Sequence, residues 1–430
     1  MNEAAGNRID RQTALDRDAA DELAPLRSEF HMPTRADGSP AVYLCGHSLG
    51  LQPKHTARIL QEELDVWARQ GVEGHFDSQR PWLSYHEQLS GSLARLAGAQ
   101  PLEVVAMNSL TVNLHLMLAS FYRPTPQRHK ILIEQSAFPS DRYAVATHIR
   151  QRGFDPRESL LEVAPRAGEV NLRSDDISAF IDREGPRLAT VMLPGVQYLT
   201  GQCLDMAAIT AAAQRHGCTV GFDLAHAMGN VPLQLHDWNA DFAVWCGYKY
   251  LNGGPGGIGG CFVHERHARA FDLPRLAGWW GHDKATRFDM PEQFAPLPGA
   301  EGWQISNPSV FAAAPLLASL PLFDRAGMAA LRSKSLQLTG YLETLLMARL
   351  AADVTILTPP DPAARGCQLS IRLQRSPAGA RVVHSNLARA GYLCDWREPD
   401  VVRVAPVPLY NTFVDAWDFV DRLTKELHAA

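Results

Sequence analysis

Asp223 and Lys249 carry the clearest chemistry in this sequence. Asp223 closes the apolar run that starts at Cys218, and Lys249 follows a second apolar run, Phe242–Trp245, 26 positions later. Open α/β sheets collect ligands at the carboxyl ends of their parallel strands, so both side chains are expected at that edge. A lysine amine forms a Schiff base with an aldehyde, and a nearby carboxylate keeps a pyridine nitrogen protonated so that the ring can draw electrons from an attached amino acid. Together these roles suit pyridoxal phosphate (PLP). An ordinary ion pair at two strand ends is the competing reading, because strand-terminal Asp and Lys are common surface residues.

The glycine-rich segment Asn252–Gly260 contains a literal G-x-G-x-x-G, from Gly254 to Gly259. A dinucleotide fingerprint needs that motif between a strand and a following helix, whereas here it runs into Cys261-Phe-Val-His264, which reads as a strand. A tight turn with closely approaching backbones is the better interpretation.

Positioning Asp223 and Lys249 at one edge requires a sheet. Short apolar runs rich in β-branched residues alternate with longer amphipathic stretches. They predict strands at Val104–Met107, Lys130–Glu134, Leu160–Val163, Leu188–Leu193, Cys218–Phe222, Phe242–Trp245 and Gly260–Val263. The unbroken apolarity of Leu188–Leu193 implies helices on both faces of a mostly parallel α/β sheet. Beyond a long helical segment at Met328–Leu350 the texture changes to a smaller α+β unit. Its strands are expected at Val354–Leu357, Gln368–Leu373, Leu393–Trp396 and Val401–Val404, with helices at Gly379–Ala390 and from Phe413. The expected division is an N-terminal arm (1–48) that joins the small unit, a large cofactor domain (49–320) and a small C-terminal domain (321–430).

A chain of 430 residues, 46% hydrophobic and 20% charged, has enough material for a large core and is not a small binding module. With 41 basic against 46 acidic residues and a net charge of -5, no field to attract nucleic acid or anionic lipid is present, and a small-molecule partner is expected. Seven scattered cysteines, no two closer than fifteen positions, offer neither a disulfide framework nor a metal clip; no metal is expected, and a reducing cytoplasm is. The first twenty residues, which include Glu3, Arg8 and Asp10, lack the apolar centre of a signal peptide. The uncharged stretch Gly302–Phe323 could span a bilayer in length, but Gln304, Asn307 and three prolines make it buried interior.

Further strings lie along the chain: Tyr43-Leu-Cys-Gly-His-Ser-Leu-Gly-Leu-Gln-Pro53, Val72-Glu-Gly-His75, Leu110-Thr-Val-Asn-Leu-His115 and Phe138-Pro-Ser-Asp141. They continue with Phe222-Asp-Leu-Ala-His226, His236-Asp-Trp238, Tyr248-Lys-Tyr-Leu-Asn252, Gly278-Trp-Trp-Gly-His282, Ile305-Ser-Asn-Pro308 and Arg403-Val-Ala-Pro-Val-Pro-Leu-Tyr-Asn411. In this order, from about residue 43 to 413, the set resembles the kynureninases, fold-type-I PLP enzymes of the class V aminotransferase-like superfamily. The resemblance implies that Lys249 carries the cofactor and moves a proton at the substrate Cα, that Asp223 pairs with the pyridine nitrogen, and that Asp141 lies near the ring. It places Phe138 on the ring face, with Pro139, Ser140 and His226 in the cofactor site. Leu110 and Thr111 would receive the phosphate at a helix start. Tyr248 would reach the phosphate and act as acid or base. Trp279 and Asn307 would cross a homodimer interface, so that one site needs two chains. Ser48, His75, Trp280 and Asn307 would surround the aryl end of the substrate, and Arg403 would hold its α-carboxylate.

The reaction implied is hydrolysis of the Cβ–Cγ bond of L-kynurenine, and of its 3-hydroxy derivative, to anthranilate (or 3-hydroxyanthranilate) and L-alanine, in tryptophan degradation and NAD biosynthesis. His47 stands where the family usually has Asn, and Pro194 where some relatives have a small polar residue; both bear on substrate preference. The alternatives on the same scaffold are a cysteine desulfurase or class V aminotransferase. A PLP-binding regulator without catalysis is a third, although it would not need Lys249, Asp223 and Arg403 together.

Overall fold

The computed structural model describes residues 9–429; the first eight residues of the expected arm, with Glu3 and Arg8, lie outside the described residues. Seven of the expected runs form one sheet. In chain order they are β1 (Val104–Ala106), β2 (Lys130–Glu134), β3 (Leu160–Val163), β4 (Leu188–Pro194), β5 (Thr219–Asp223), β6 (Phe242–Trp245) and β7 (Gly260–Val263). Their lateral order is β1-β7-β6-β5-β4-β2-β3. The pairs among β2 to β6 are parallel, and β7 alone runs against both its neighbours, β6 and β1.

Successive residues of one strand point to opposite faces, and both faces are dry. Leu132, Val191, Phe222 and Trp245 enter one hydrophobic cluster, while their neighbours Ile131, Met192, Phe242 and Val244 enter another. Burying such a side chain contributes roughly 1.5–3 kcal/mol, which is why these strands show no polar alternation. The uncharged stretch is interior in part: it forms most of the helix Val310–Ala326, whose Ala313, Ala314, Leu316 and Leu320 are buried, while Ser306, Asn307, Ser309 and Phe311 are exposed. That helix meets Met328–Leu350 at Gly327 with a bend of 82°, and no single helix among the described residues is long and apolar enough to cross a membrane.

A second, antiparallel sheet follows, built from β8 (Val354–Ile356), β9 (Leu369–Leu373), β10 (Asp395–Arg397) and β11 (Val401–Val404) in the order β10-β11-β9-β8. It has its own apolar cluster, to which Leu338–Leu350 of the long helix, the C-terminal helix Phe413–Ala429, and Ala14, Val42 and Leu44 near the N-terminus contribute. The expected continuous strand Leu393–Trp396 is divided at Cys394. Tyr392–Leu393 pairs in parallel with Val42–Tyr43, whereas Asp395–Arg397 pairs antiparallel with β11. Two different sheets claim the two halves, a long-range competition that local alternation does not register.

Candidate active site

The carboxyl edge of the large sheet and the rim of the small one enclose a cavity of about 270 Å³. Asp223 ends β5, and its carboxylate accepts from the Ala225 N–H at 2.6 Å. Lys249 sits in the turn after β6, its Nζ 3.1 Å from His226 Nε2. No ion pair joins it to Asp223 among the described residues, so the simple strand-end pair is not what these two residues form. Burial, then the Lys249 charge, drives the His226 imidazole well below its ordinary range. A neutral ring that accepts at Nε2 carries its hydrogen on Nδ1, and that atom has no partner.

The turn that presents Lys249 depends on close backbone contact. Gly50 N–H donates to the Tyr248 carbonyl at 2.8 Å, and a Cβ at Gly50 would collide with the Lys249 carbonyl oxygen and with Asn252. The G-x-G-x-x-G segment does run into β7: a Cβ at Gly259 would lie 2.6 Å from the Trp245 carbonyl oxygen. It is a packing turn, as its context indicates.

Three carboxyl groups share the floor. Burial first, then the Asp223 charge, pushes Asp141 well above the usual carboxylate range; Asp223 is also pushed up by burial, against which a hydrogen bond with Asp141 acts. Glu134, at the end of β2, is pushed up to about 8 by burial and by Asp223, with Gln197 Nε2 at 3.4 Å. Asp141 Oδ1 is buried without a partner. These groups favour a cation or a proton-bearing ring nitrogen beside them.

Two helix starts face the same space. Ser109 is the N-cap of Leu110–Phe121 but its side chain caps no amide, which leaves first-turn N–H groups free for an anion. Phe138 precedes Pro139–Gln151, in which Pro139 occupies the first position and Asp141 the first turn. Leu110, Thr111, Phe138, Ser140, Asp141, Asp223, His226, Tyr248, Lys249, Ser48 and Arg403 line the cavity. Pro139 shapes the helix start and does not line it. Phe138 is 41% exposed and meets Tyr198 edge-on at 5.3 Å, so one ring face is open. Burial pushes Tyr248 up to about 12, which keeps its phenol protonated.

The opposite rim is cationic. Arg403 on β11 is fully buried; its Nη1 donates to the Tyr198 carbonyl at 2.6 Å and its Nη2 to Ser48 Oγ at 3.3 Å and to Asp395. Asp395 stands directly across β10–β11 from Arg403 and also receives the Ser48 hydroxyl. His47, wholly buried, places Nε2 3.6 Å from the same carboxylate, and burial with the Arg403 charge lowers the imidazole to about 4.

Besides Pro139, four expected residues are not in this cavity within one chain. Trp279 is 43% exposed and donates its Nε1 to the Arg287 carbonyl at 2.9 Å. Trp280 is buried, and its Nε1 has no partner. His75 packs edge-on against Trp82 at 5.2 Å, and Asn307 lies in a shallow hollow beside Trp67 and Trp82. Conversely, Glu134, Val196, Tyr198, Ala225 and Arg397 line the cavity and were not expected, while His47 and Pro194, noted only as departures, line it too. Glu134 ends an apolar strand as Asp223 does, so the same rule would have found it. The pairing of Asp395 with Arg403 depends on register, which no local signal reveals.

A profile described as the kynureninase C-terminal domain matches residues 331–423, and one for the DegT/DnrJ/EryC1/StrS aminotransferase family matches residues 82–234. The kynureninase of Koribacter versatilis is 57% identical over 415 residues, 96% of this chain and 97% of its own. That of Myxococcus xanthus is 59% identical over 406 residues, 94% and 95%. Among solved structures, a mutant of C-DES with glycine covalently linked to its PLP cofactor has a TM-score of 0.73 at 20% identity, covering 90% of this chain and 96% of that one. A cysteine desulfurase from Escherichia coli has a TM-score of 0.73 at 19% identity, covering 95% and 99%. At that identity the structural likeness shows the fold-type-I architecture alone. The near full-length relatives, more than half identical, show more: this chain belongs to the kynureninase family.

Proposed function

We propose that this chain is a PLP-dependent hydrolase that cleaves the Cβ–Cγ bond of L-kynurenine, and of 3-hydroxy-L-kynurenine, releasing anthranilate or 3-hydroxyanthranilate and L-alanine. The observation that carries the reading is the single cavity in which Lys249, the Asp141/Asp223 pair, a free helix start and Arg403 converge. The cavity fits the cofactor: a partnerless buried carboxylate oxygen on Asp141, uncapped amides at Leu110 and Thr111, and an open face of Phe138 match a ring nitrogen, a phosphate and an aromatic plane. PLP, when bound, supplies an electron sink for an amino acid attached through its amine.

The residues of the chain do the rest. Lys249 would hold the cofactor, and its amine is the group placed to take and return the substrate Cα proton. His226, neutral, accepts from the Lys249 ammonium and fixes where Nζ points. Asp223, backed by Asp141, holds the proton on the ring nitrogen. Tyr248, kept protonated, donates to the oxygen that becomes negative when water adds to the γ-ketone, with His75 the second candidate for proton transfer. Arg403 holds the α-carboxylate; Ser48, Trp280 and Asn307 belong to the aryl end.

Trp279, Trp280, His75 and Asn307 lie outside the cavity within one chain, which supports a homodimer whose sites are completed by the partner. A cytoplasmic location, and a division into an arm with the small unit (1–48 and 321–430) and a large unit (49–320), belong to the same reading. The cluster that joins Ala14, Val42 and Leu44 to the small unit supports that division, while Leu26, Phe30, Cys367 and Tyr410 pack into the large unit's core across the boundary. A desulfurase is disfavoured because it needs an activated thiol. All seven cysteines are pushed upward by burial, among them Cys45 and Cys367 to about 12 and Cys203 and Cys218 to about 11.

Incubation with L-kynurenine should yield anthranilate fluorescence and stoichiometric alanine. Sulfide from cysteine, a keto acid, or cofactor binding without turnover would each overturn the assignment. Mixing inactive Lys249→Ala with inactive Asn307→Ala should restore part of the activity if sites are shared, and restore none if each chain is self-sufficient.

A further inference from the structure

Arg403 is the one fully buried cation of the cavity, yet it is already matched by a carboxylate of its own chain. Asp395 faces it across the β10–β11 ladder, so backbone register places the two side chains together. Burial opposes a charge on Asp395, but its contacts with His47, Arg403 and Ser48 outweigh that, and the carboxyl titrates far below its usual range. At neutral pH it is therefore an anion. A second cation shares the same carboxylate oxygen: Arg397 lines the cavity, is 38% exposed at its side chain, and places Nη2 3.3 Å from Asp395 Oδ2, the atom that Arg403 also meets. Both arginines keep a buried Nε with no partner. Asp395 thus holds two guanidinium groups through one oxygen, the buried Arg403 and the more exposed Arg397.

We propose that Asp395 is a built-in competitor for Arg403, and that it makes the pocket selective for amino acids over simple carboxylates. An incoming carboxylate must either displace Asp395 from Arg403 or sit beside a fixed negative charge, so the carboxylate contact alone is weak. A substrate whose amine replaces Lys249 at the aldehyde of the bound cofactor would meet that cost through a second attachment, as linked contacts do in general. Arg397 lowers the cost by receiving Asp395 when it moves. This rests on the reading that Arg403 holds the substrate α-carboxylate, and it adds positioning roles for Asp395 and Arg397.

Propionate, which has the carbon skeleton of alanine without the amine, is the probe. As a competitive inhibitor of kynurenine hydrolysis by the PLP-loaded enzyme, it should bind Asp395→Asn at least ten-fold more tightly than wild type. A merely structural Asp395 would give the opposite sign, because a disordered Arg403 binds carboxylates worse. Arg397→Gln should raise the propionate inhibition constant at least three-fold in the wild-type background and leave it unchanged in Asp395→Asn, a coupling that a double-mutant cycle measures. An unchanged or higher constant in Asp395→Asn overturns the proposal. So does an equal effect of Arg397→Gln in both backgrounds, which would make Arg397 a direct ligand of the carboxylate. Should Asp395→Asn fail to fold, Asp395→Glu serves: a longer carboxylate that still reaches Arg403 should keep the wild-type constant within two-fold, and a ten-fold loss of propionate binding would overturn the competitor role. Arg403→Gln tests the underlying reading separately. If it changes neither the kynurenine KM nor the propionate constant, the carboxylate site is elsewhere, whatever Asp395 does.

Discussion

Three buried carboxyl groups line the cavity on the large-sheet side, and a fourth, Asp395 on the small sheet, stands behind the lining residue Arg403; the two sides are driven in opposite directions. On the large-sheet side, Glu134, Asp141 and Asp223 are all pushed up, first by burial and then, for Glu134 and Asp141, by the Asp223 charge. On the small sheet, Asp395 is also deprived of water, with 14% side-chain exposure, yet it is held far down by Arg403, His47 and Ser48. Burial is common to both and does not decide the outcome. Company decides it: like charges turn the first set into a store of protons, and donors turn the second into a permanent anion. One rim is therefore built to receive a cationic ring nitrogen, the other to recognise a carboxylate through a cation that already has a partner.

The largest effect tests the cation nearest the proton-storing rim. Lys249→Ala should reduce kcat by more than about 10³-fold, since loss of a proton-transfer group alone costs about 10²–10⁴-fold, and should remove the visible absorbance of the lysine-bound cofactor. Full activity in that variant would break the assignment of this rim. Next, Asp223→Asn should lower kcat by about 10²-fold or more while leaving stability unchanged or higher, because it relieves crowding of like charges.

Asp395→Asn should do the reverse in stability. Removing one partner of a buried pair leaves Arg403 uncompensated and costs about 3–5 kcal/mol, which chemical denaturation at neutral pH would measure. Equal stability losses in Asp223→Asn and Asp395→Asn would erase the contrast. A smaller effect carries a pH sign. Glu134 has its folded-state pKa raised to about 8 from an ordinary 4.5, so the folded state holds its proton longer than the unfolded chain does. Its burial costs nothing below pH 4.5, and stability falls as pH rises from there to about 8. Glu134→Gln should remove that slope, so that its melting temperature gains on wild type across the window and stays parallel above it. The smallest expected effect is outside both rims: Lys425→Ala, which loses an exposed pair with Asp421 at 2.7 Å, should change stability by less than about 0.5 kcal/mol.

Much of the large sheet was legible because most of its strands, all but the half-buried edge strand Leu160–Val163, are short runs buried on both faces, and continuous apolarity is a local property. The lysine and aspartate could be set at one edge for the same reason, since both follow such runs and parallel strands deliver their ends to one side. Glu134 was equally legible and was missed: the rule applied to Asp223 was not applied to the end of Lys130–Glu134. Tyr198 and Ala225 were not legible, because loop residues carry no periodic signal.

Composition, apolar patterning and the motif strings were sufficient for an α/β scaffold, a lysine-bound aldehyde cofactor and a family, because those follow from residue types and short spacings along the chain. The division of Leu393–Trp396 between two sheets, the seating of Asp395 against Arg403, and the absence of His75, Trp279, Trp280 and Asn307 from the cavity of a single chain do not follow from them. Each depends on which distant segment wins a contact, and so does every pKa on the two rims: a carboxylate's charge state depends on its neighbours in space, which a linear order of residues leaves open.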